Sequence, residues 1–188
     1  MTLYCATGNP GKLREWRQGL AGYALELVQV AACEETGRTF EENARQKAVY
    51  YSRHAPGLLF AEDSGLEVDA LGGAPGVQSA RFAGDGSSDA DNNRLLIEKL
   101  RGVSDRSARY VCVIALAEAG AVLQTFHGEV AGRIIDQPRG TNGFGYDPYF
   151  YYGPFELTFA EASPEQKAQV SHRARALATM LEWLRVAR

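Results

Sequence analysis

The sequence predicts an α/β protein built on a mixed β-sheet, and three observations carry this prediction. In the N-terminal half, short apolar strands alternate with helical patterns, as in α/β folds. Residues 110–117 form a continuous apolar run, the pattern of a strand buried on both faces. The turn at 118–120 leads into further strand patterns at 122–126 and 130–135, which predicts a long hairpin. Because hairpins add antiparallel strands, the combination favours a mixed sheet over a purely doubly wound one.

The elements before residue 70 follow from apolar spacing and one capping signal. They are a strand near residue 3, a helix with Leu13, Trp16 and Leu20 on one face, a strand at 24–30, a second helix, and strands at 58–62 and 66–70. The second helix begins after Thr39, which forms a capping box with Glu42. Asp63-Ser64-Gly65 is predicted to be a turn between the last two strands.

The C-terminal elements follow from the same signals. A glycine-rich loop at 71–85 precedes a helix predicted over 89–100, ahead of the hairpin. Ser163 and Gln166 form another capping box, and the last helix begins near Ser171. Its buried stripe is predicted from the spacing of Ala174, Leu177, Ala178, Leu181 and Leu184.

Composition is that of an ordinary globular protein. The chain has 188 residues, of which 45% are apolar and 23% charged, and we expect a single domain over residues 1–188. The net charge of −3 provides no field that would attract nucleic acid, and no run of lysines and arginines forms a docking stripe. We therefore expect no nucleic-acid partner.

The cysteines and the start of the chain point to the cytoplasm. Cys5, Cys33 and Cys112 are odd in number and widely separated, which fits reduced thiols rather than a disulfide framework. Met1 leads directly into the first strand, so we expect no signal peptide. No apolar stretch approaches the length that crosses a membrane, so we expect no membrane partner.

The run Gly140-Thr141-Asn142-Gly143-Phe144-Gly145-Tyr146-Asp147-Pro148 is the most unusual segment. Glycines weaken strands and helices, so such a run is a loop. One interpretation is a loop that brings backbone close to a flat ligand, with Phe144 or Tyr146 as the stacking face. The other is a turn anchored by two aromatic side chains.

The segment Thr7-Gly8-Asn9-Pro10-Gly11-Lys12 joins the first strand to the first helix. A glycine turn at a helix start presents backbone N–H groups and the positive helix end, which suit a phosphate, and Lys12 adds a charge. The segment is not a Walker A loop, because the glycine spacing is too short and Leu13 replaces the Ser/Thr that would hold magnesium. The alternative is a strand–helix turn with a surface lysine.

Two adjacent carboxylates end the apolar run 58–61. Side chains alternate across a strand, so Glu62 and Asp63 should point to opposite faces if the strand persists. One of them is a candidate metal ligand or general base, although acids at strand ends are also common solvated caps. The three histidines have no metal-ligand spacing.

Seven short motifs occur in order along the chain. They are Thr7-Gly8-Asn9 with Lys12, Glu34-Glu35-Thr36-Gly37, Phe40-Glu41-Glu42-Asn43-Ala44, Glu62-Asp63-Ser64-Gly65-Leu66, Gly72-Gly73-Ala74-Pro75-Gly76, Phe144-Gly145-Tyr146-Asp147-Pro148 and Ser171-His172-Arg173. Together they resemble the inosine/xanthosine triphosphate pyrophosphatase family, and the match covers residues 3 to 184, nearly the whole chain.

The resemblance implies a fold and a set of functional residues. The fold is an elongated mixed sheet flanked by helices, in two lobes with a nucleotide cleft between them. Asp63 is the proton acceptor, and Glu34 and Asp63 hold Mg²⁺. The substrate-binding residues are Thr7, Gly8, Asn9, Lys12, Ser64, Phe144, Gly145, Tyr146, Asp147, Lys167, His172 and Arg173. A homodimer is also implied.

The activity implied is Mg²⁺-dependent hydrolysis of ITP, dITP and XTP to the monophosphate and pyrophosphate. Hypoxanthine and xanthine carry an oxygen where adenine carries an amino group, so hydrogen-bond donors in the base pocket would select them. Lys167, His172 and Arg173 are donor-rich candidates. Two alternatives stay open: a related pyrophosphatase for modified pyrimidine nucleotides, and a nucleotide-binding module without catalysis.

Overall fold

A computed structural model describes residues 1–187 and contains seven strands that form one mixed sheet. The strands are β1 (Thr2–Cys5), β2 (Ala24–Leu27), β3 (Leu59–Val68), β4 (Ser107–Glu118), β5 (Ala121–Ile134), β6 (Phe150–Tyr152) and β7 (Leu157–Thr158). The helices are α1 (Pro10–Gly19), α2 (Phe40–Ser52), α3 (Asp89–Lys99), α4 (Pro164–Val170) and α5 (His172–Val186). None of the helices within residues 1–187 is long and apolar enough to cross a membrane.

The sheet order is β2-β1-β3-β4-β5-β6-β7, with parallel pairing at one end and antiparallel pairing at the other. β1 pairs in parallel with β2 and with β3, as crossovers through helices require. β5 pairs antiparallel with β6, and β6 with β7. Ala119 and Gly120, both at positive φ, join β4 to β5 in a tight turn. The predicted mixed α/β sheet and long hairpin are confirmed.

The chain divides into two compact units. Unit 1 comprises Met1–Asp63, Cys112–Gly128 and residues 172–187, and unit 2 comprises Ser64–Val111 and Glu129–Ser171. Each unit has its own apolar core. The core of unit 1 gathers residues of α1, α5 and the strands, including Trp16, Phe60, Ile114 and Met180. The core of unit 2 includes Leu66, Leu96, Tyr110, Phe150 and Phe159.

Local capping signals place the helices as predicted. Thr39 caps α2 and Ser163 caps α4, each through a complete capping box with the residue three positions later. Ser88 caps α3 in the same way. In α5 the predicted stripe is partly wrong, because Ala178 is exposed while Ala176 and Met180 are buried.

The predicted turn at Asp63-Ser64-Gly65 is wrong, because β3 runs unbroken from Leu59 to Val68. Glycine is needed at position 65 because another segment approaches the β3 backbone closely, and not because the chain turns. A Cβ at this position would lie 2.2 Å from Ser79 Oγ and 2.6 Å from Gly76 O. The short helical turn at Gly76–Arg81 therefore packs directly on the β3 backbone, where Ser79 Oγ accepts a hydrogen bond from Leu66 N.

Candidate active site

The loop between β1 and α1 is closed by its own side chains. Asn9 caps α1, and its Oδ1 accepts hydrogen bonds from the N–H groups of Gly11 (2.8 Å) and Lys12 (3.1 Å). Thr7 Oγ1 accepts from Asn9 N. Two of the helix-start N–H groups predicted to be available for a phosphate are thus occupied by Asn9. The exposed backbone of Gly8 is unobstructed, since a Cβ there would meet no atom within 4 Å.

Glu62 lies at the centre of a charged network in unit 1. Lys12 Nζ is 2.7 Å from Glu62 Oε1, and Arg173 Nε is 3.9 Å from the same oxygen. Arg173 also forms an ion pair with Glu15 of α1. The side chains of Glu62 and Arg173 are each only 4% exposed, so these charges interact with little screening by water. The ion pair thus holds Lys12 against Glu62.

The buried ion pairs determine the protonation of this network. Burial opposes the charge of Glu62, but Lys12 and Arg173 outweigh it and lower the pKa of the carboxyl to about 2. Burial also opposes the charge of Arg173, and the carboxylates of Glu15 and Glu62 raise its pKa above the ordinary arginine value. Glu62 and Arg173 are therefore both ionised at neutral pH.

Asp63 points to the opposite face of β3, towards α2. Lys47 Nζ lies 3.0 Å from Asp63 Oδ1, and Asn43 Nδ2 donates to Asp63 Oδ2 at 3.1 Å. Lys47 Nζ also lies 2.9 Å from Glu35 Oε1, so one ammonium sits between two carboxylates. The predicted alternation of Glu62 and Asp63 is confirmed by these separate sets of partners.

The environment makes Asp63 more basic than an ordinary aspartate. Burial raises the pKa of its carboxyl by more than the Lys47 charge lowers it. Burial likewise opposes the charge of Lys47, but the carboxylates of Asp63, Glu62 and Glu35 raise its pKa above the ordinary lysine value. Asp63 is thus a carboxylate with increased proton affinity beside a fixed cation.

The carboxylates near Asp63 suit a hard cation that also binds phosphate. Lys47 shows that Glu35 and Asp63 direct oxygens at one positive group. Glu34, next to Glu35, is exposed. Within residues 1–187, no group of three or more His, Cys, Asp and Glu side chains is arranged to hold a metal. Mg²⁺ commonly uses one or two carboxylates with substrate phosphates, so this donor set fits magnesium.

The start of α5 packs tightly on β5. A Cβ at Gly128 would lie 2.2 Å from His172 O and 2.4 Å from Ala176 N, so only glycine allows this approach. His172 and Arg173 are each only 3% exposed. The contact fixes both residues at the first turn of α5, beside Glu15 and Glu62 in the case of Arg173.

In unit 2 the Phe144–Asp147 loop is organised around Asp147. Asp147 is buried, and its Oδ2 accepts a hydrogen bond from Phe144 N and lies 2.6 Å from Lys167 Nζ. Tyr110 donates its hydroxyl to Asp147 Oδ1. The cation that pairs with Asp147 is therefore Lys167 of α4. The consequence is that Lys167 Nζ lies 5.0 Å from the centre of the Phe144 ring.

The two aromatic residues of this loop have different environments. Phe144 is partly exposed, whereas Tyr146 is buried in the core of unit 2 and donates its hydroxyl to Ser79 O. Gly143 approaches Asp147 so closely that a Cβ would lie 2.0 Å from its Oδ2. Phe144 is therefore the better stacking surface of the two, and part of the glycine run serves contacts within the protein.

The chain matches known proteins over nearly its whole length. The profile of the Ham1 family matches residues 3–183, which include all seven motifs. The chain belongs to the Ham1 family. A dITP/XTP pyrophosphatase from Acidobacterium capsulatum is 50% identical, with 96% of this chain and 97% of that protein covered.

Solved Ham1 structures share the fold. The Staphylococcus aureus Ham1 protein superimposes with a TM-score of 0.90 at 38% identity, and all of both chains is covered. The nucleoside-triphosphatase / dITP/XTP pyrophosphatase from Mycobacterium abscessus gives a TM-score of 0.75 at 40% identity, covering 96% of this chain and 99% of that one. The resemblance predicted from the motifs is confirmed.

The structure of this Ham1 chain brings some of the predicted site residues together and adds neighbours that were not predicted. The structure joins Lys12 and Arg173 through Glu62 in unit 1, and Phe144, Asp147 and Lys167 in unit 2. The neighbours to which the sequence analysis assigned no role are Glu15, Glu35, Asn43, Lys47 and Tyr110. A lysine on the apolar stripe of α2 was the available signal for Lys47, because buried lysines are rare unless they are paired.

Proposed function

We propose that this chain hydrolyses deaminated purine nucleoside triphosphates, ITP, dITP and XTP, to the monophosphate and pyrophosphate. The observation that carries the proposal is Asp63, a buried carboxylate of raised pKa held by Lys47 and Asn43. Membership of the Ham1 family, whose curated relatives carry the name dITP/XTP pyrophosphatase, supports the substrate class. The activity would remove such nucleotides from the precursor pool.

We propose that Glu34 and Asp63 hold Mg²⁺ together with phosphate oxygens of the substrate. Exposed Glu34 and the cation-binding arrangement of Glu35 and Asp63 around Lys47 support this placement. When bound, the ion would polarise the phosphates and favour loss of a proton from the attacking water. Asp63 accepts that proton, and Lys47 holds its carboxylate in position.

The phosphates and the base would use different groups of residues. Thr7, Gly8 and Asn9 form the proposed phosphate loop, in which the backbone of Gly8 is unobstructed, and Lys12 offers a cation to the phosphates. Phe144 offers a partly exposed ring to the base, and Lys167, His172 and Arg173 are the proposed donors. Ser64, Gly145, Tyr146 and Asp147 complete the proposed substrate-binding set.

Donors facing the oxo group of hypoxanthine or xanthine give selectivity against adenine. With adenine, a buried donor would face an amino group, and each such mismatch costs about 1–3 kcal/mol. Two mismatches of about 1.5 kcal/mol each would therefore lower kcat/KM for dATP by a factor of about a hundred, and a third would lower it further. We also propose that the chain forms a homodimer and acts in the cytoplasm. Sedimentation at micromolar protein concentration tests the dimer.

Product analysis with a single substrate tests the proposed bond cleavage and metal requirement. With dITP and Mg²⁺ we expect equal amounts of dIMP and pyrophosphate, and no activity after chelation until Mg²⁺ is restored. Pyrophosphate and orthophosphate are measured separately, and no phosphatase is added to the assay. Release of orthophosphate and dIDP would contradict the proposed bond, and full activity in excess chelator would contradict the role of the metal.

A further inference from the structure

Two side chains of α3 hold both backbone polar groups of Gly145. Gly145 N donates to Asp89 Oδ2 at 2.6 Å, and Asn93 Nδ2 donates to Gly145 O at 2.9 Å. Asp89 and Asn93 are four positions apart, so they project from the same face of the helix. Gly145 has a φ of 62°, a conformation that glycine adopts without strain. It lies directly after Phe144 in the chain, so its backbone helps to set the direction of that ring.

Packing alone does not fix this loop against α3. A cavity of about 700 Å³ lies beside it, and its lining includes Asn93, Ile97, Asn142, Phe144 and Tyr149. Loops beside open space rely on hydrogen bonds for a unique conformation, because few apolar contacts oppose their movement. The two bonds from α3 to Gly145 therefore restrain the Phe144 side of the loop, while Asp147 anchors its other end through Lys167.

Stability alone does not explain why Asn93 is buried. It is only 7% exposed, and its Oδ1 has no hydrogen-bond partner within residues 1–187. A buried amide with one atom unpaired contributes little net stability, and an apolar residue would serve a helix core as well. Its Nδ2 bond to Gly145 is the contact that an apolar residue could not make.

We propose that Asp89 and Asn93 are positioning residues, which hold Gly145 so that the Phe144 ring is directed at the purine base. The proposal deepens the proposed function and rests on it. Neither residue touches the reacting phosphates in this account. Both act through Phe144, whose stacking on the base is the same in the bound substrate and in the transition state, so their loss weakens binding more than chemistry.

Kinetics of helix variants test the positioning role. We expect Asn93→Ala and Asp89→Ala to raise KM for dITP by several-fold, up to about tenfold, with kcat within about twofold of wild type. Asp89→Asn retains an oxygen that can accept from Gly145 N, and we expect it to restore most of the KM. Asp91→Ala is the matched control, because the carboxylate that it removes lies in the same helix turn, accepts hydrogen bonds from Ser88 N and Ser88 Oγ, and does not contact Gly145.

Amide hydrogen exchange of the free protein tests the restraint itself. We expect Gly145 N–H to exchange faster in Asp89→Ala than in wild type, and at the wild-type rate in Asp91→Ala. Faster exchange of Gly145 N–H with an unchanged KM for dITP would overturn the positioning role. Unchanged exchange of Gly145 N–H in both Asp89→Ala and Asn93→Ala would overturn the restraint. If wild-type protein did not hydrolyse dITP, the proposed function would fail on its own, and exchange at Gly145 would still decide whether the restraint exists.

Discussion

Replacing Asp63 with asparagine is expected to lower kcat for dITP by about a thousandfold or more in a folded protein. The amide has the size of the carboxylate but cannot accept the proton of the attacking water and binds Mg²⁺ weakly. The fold should tolerate the change, because burial already disfavours the charged form of Asp63, as its raised pKa indicates. Pyrophosphate release at saturating dITP and Mg²⁺ measures the effect.

The matched control for this variant is Asp85→Asn, the same chemical change at an exposed position. We expect wild-type kinetics from it. Far-ultraviolet circular dichroism and the thermal midpoint establish that Asp63→Asn is folded. A folded Asp63→Asn protein that releases pyrophosphate at the wild-type rate would contradict the proposed mechanism.

Replacing Arg173 with methionine is expected to destabilise the fold by about 3 kcal/mol. The change leaves Glu15 and Glu62 without the buried guanidinium that lies between them. The expected loss is at the lower end of the range for broken buried ion pairs, because Lys12 still contacts Glu62 at 2.7 Å. Urea unfolding followed by circular dichroism measures the free energy of unfolding.

Two further variants test whether this loss of stability comes from the broken buried ion pairs. Arg185→Met removes an exposed arginine from the same helix and should change the free energy of unfolding by less than about 0.5 kcal/mol. The double variant Arg173→Met with Glu15→Gln should recover part of the loss, because one unpaired carboxylate is gone. A loss below about 0.5 kcal/mol for Arg173→Met would show that the buried network is not structurally important.

Features that depend on neighbouring residues were predictable from the sequence. The capping boxes at Thr39 and Ser163 need only residues three positions apart, and both formed as predicted. The opposite directions of Glu62 and Asp63 follow from the two-residue repeat of a strand, which holds whatever surrounds it.

Features that depend on distant residues were not predictable. In the sequence Gly65 resembles a turn residue, but glycine is needed at this position because Gly76 and Ser79 approach the β3 backbone closely. Lys47 looks like one of several helix residues, and its importance comes from Glu35 and Asp63, which other elements bring to it. Such pairings arise from tertiary packing, which a spacing pattern within one element does not contain.

Substrate selection is measured as kcat/KM for dITP and XTP beside dATP and dTTP, at one Mg²⁺ concentration, with pyrophosphate as the scored product. We expect dITP and XTP to be preferred over dATP by about a hundredfold or more, because buried donors that pair with an oxo group would face the amino group of adenine. Equal values for dITP and dATP, or a preference for the pyrimidine, would contradict the claim that this chain selects deaminated purine nucleotides.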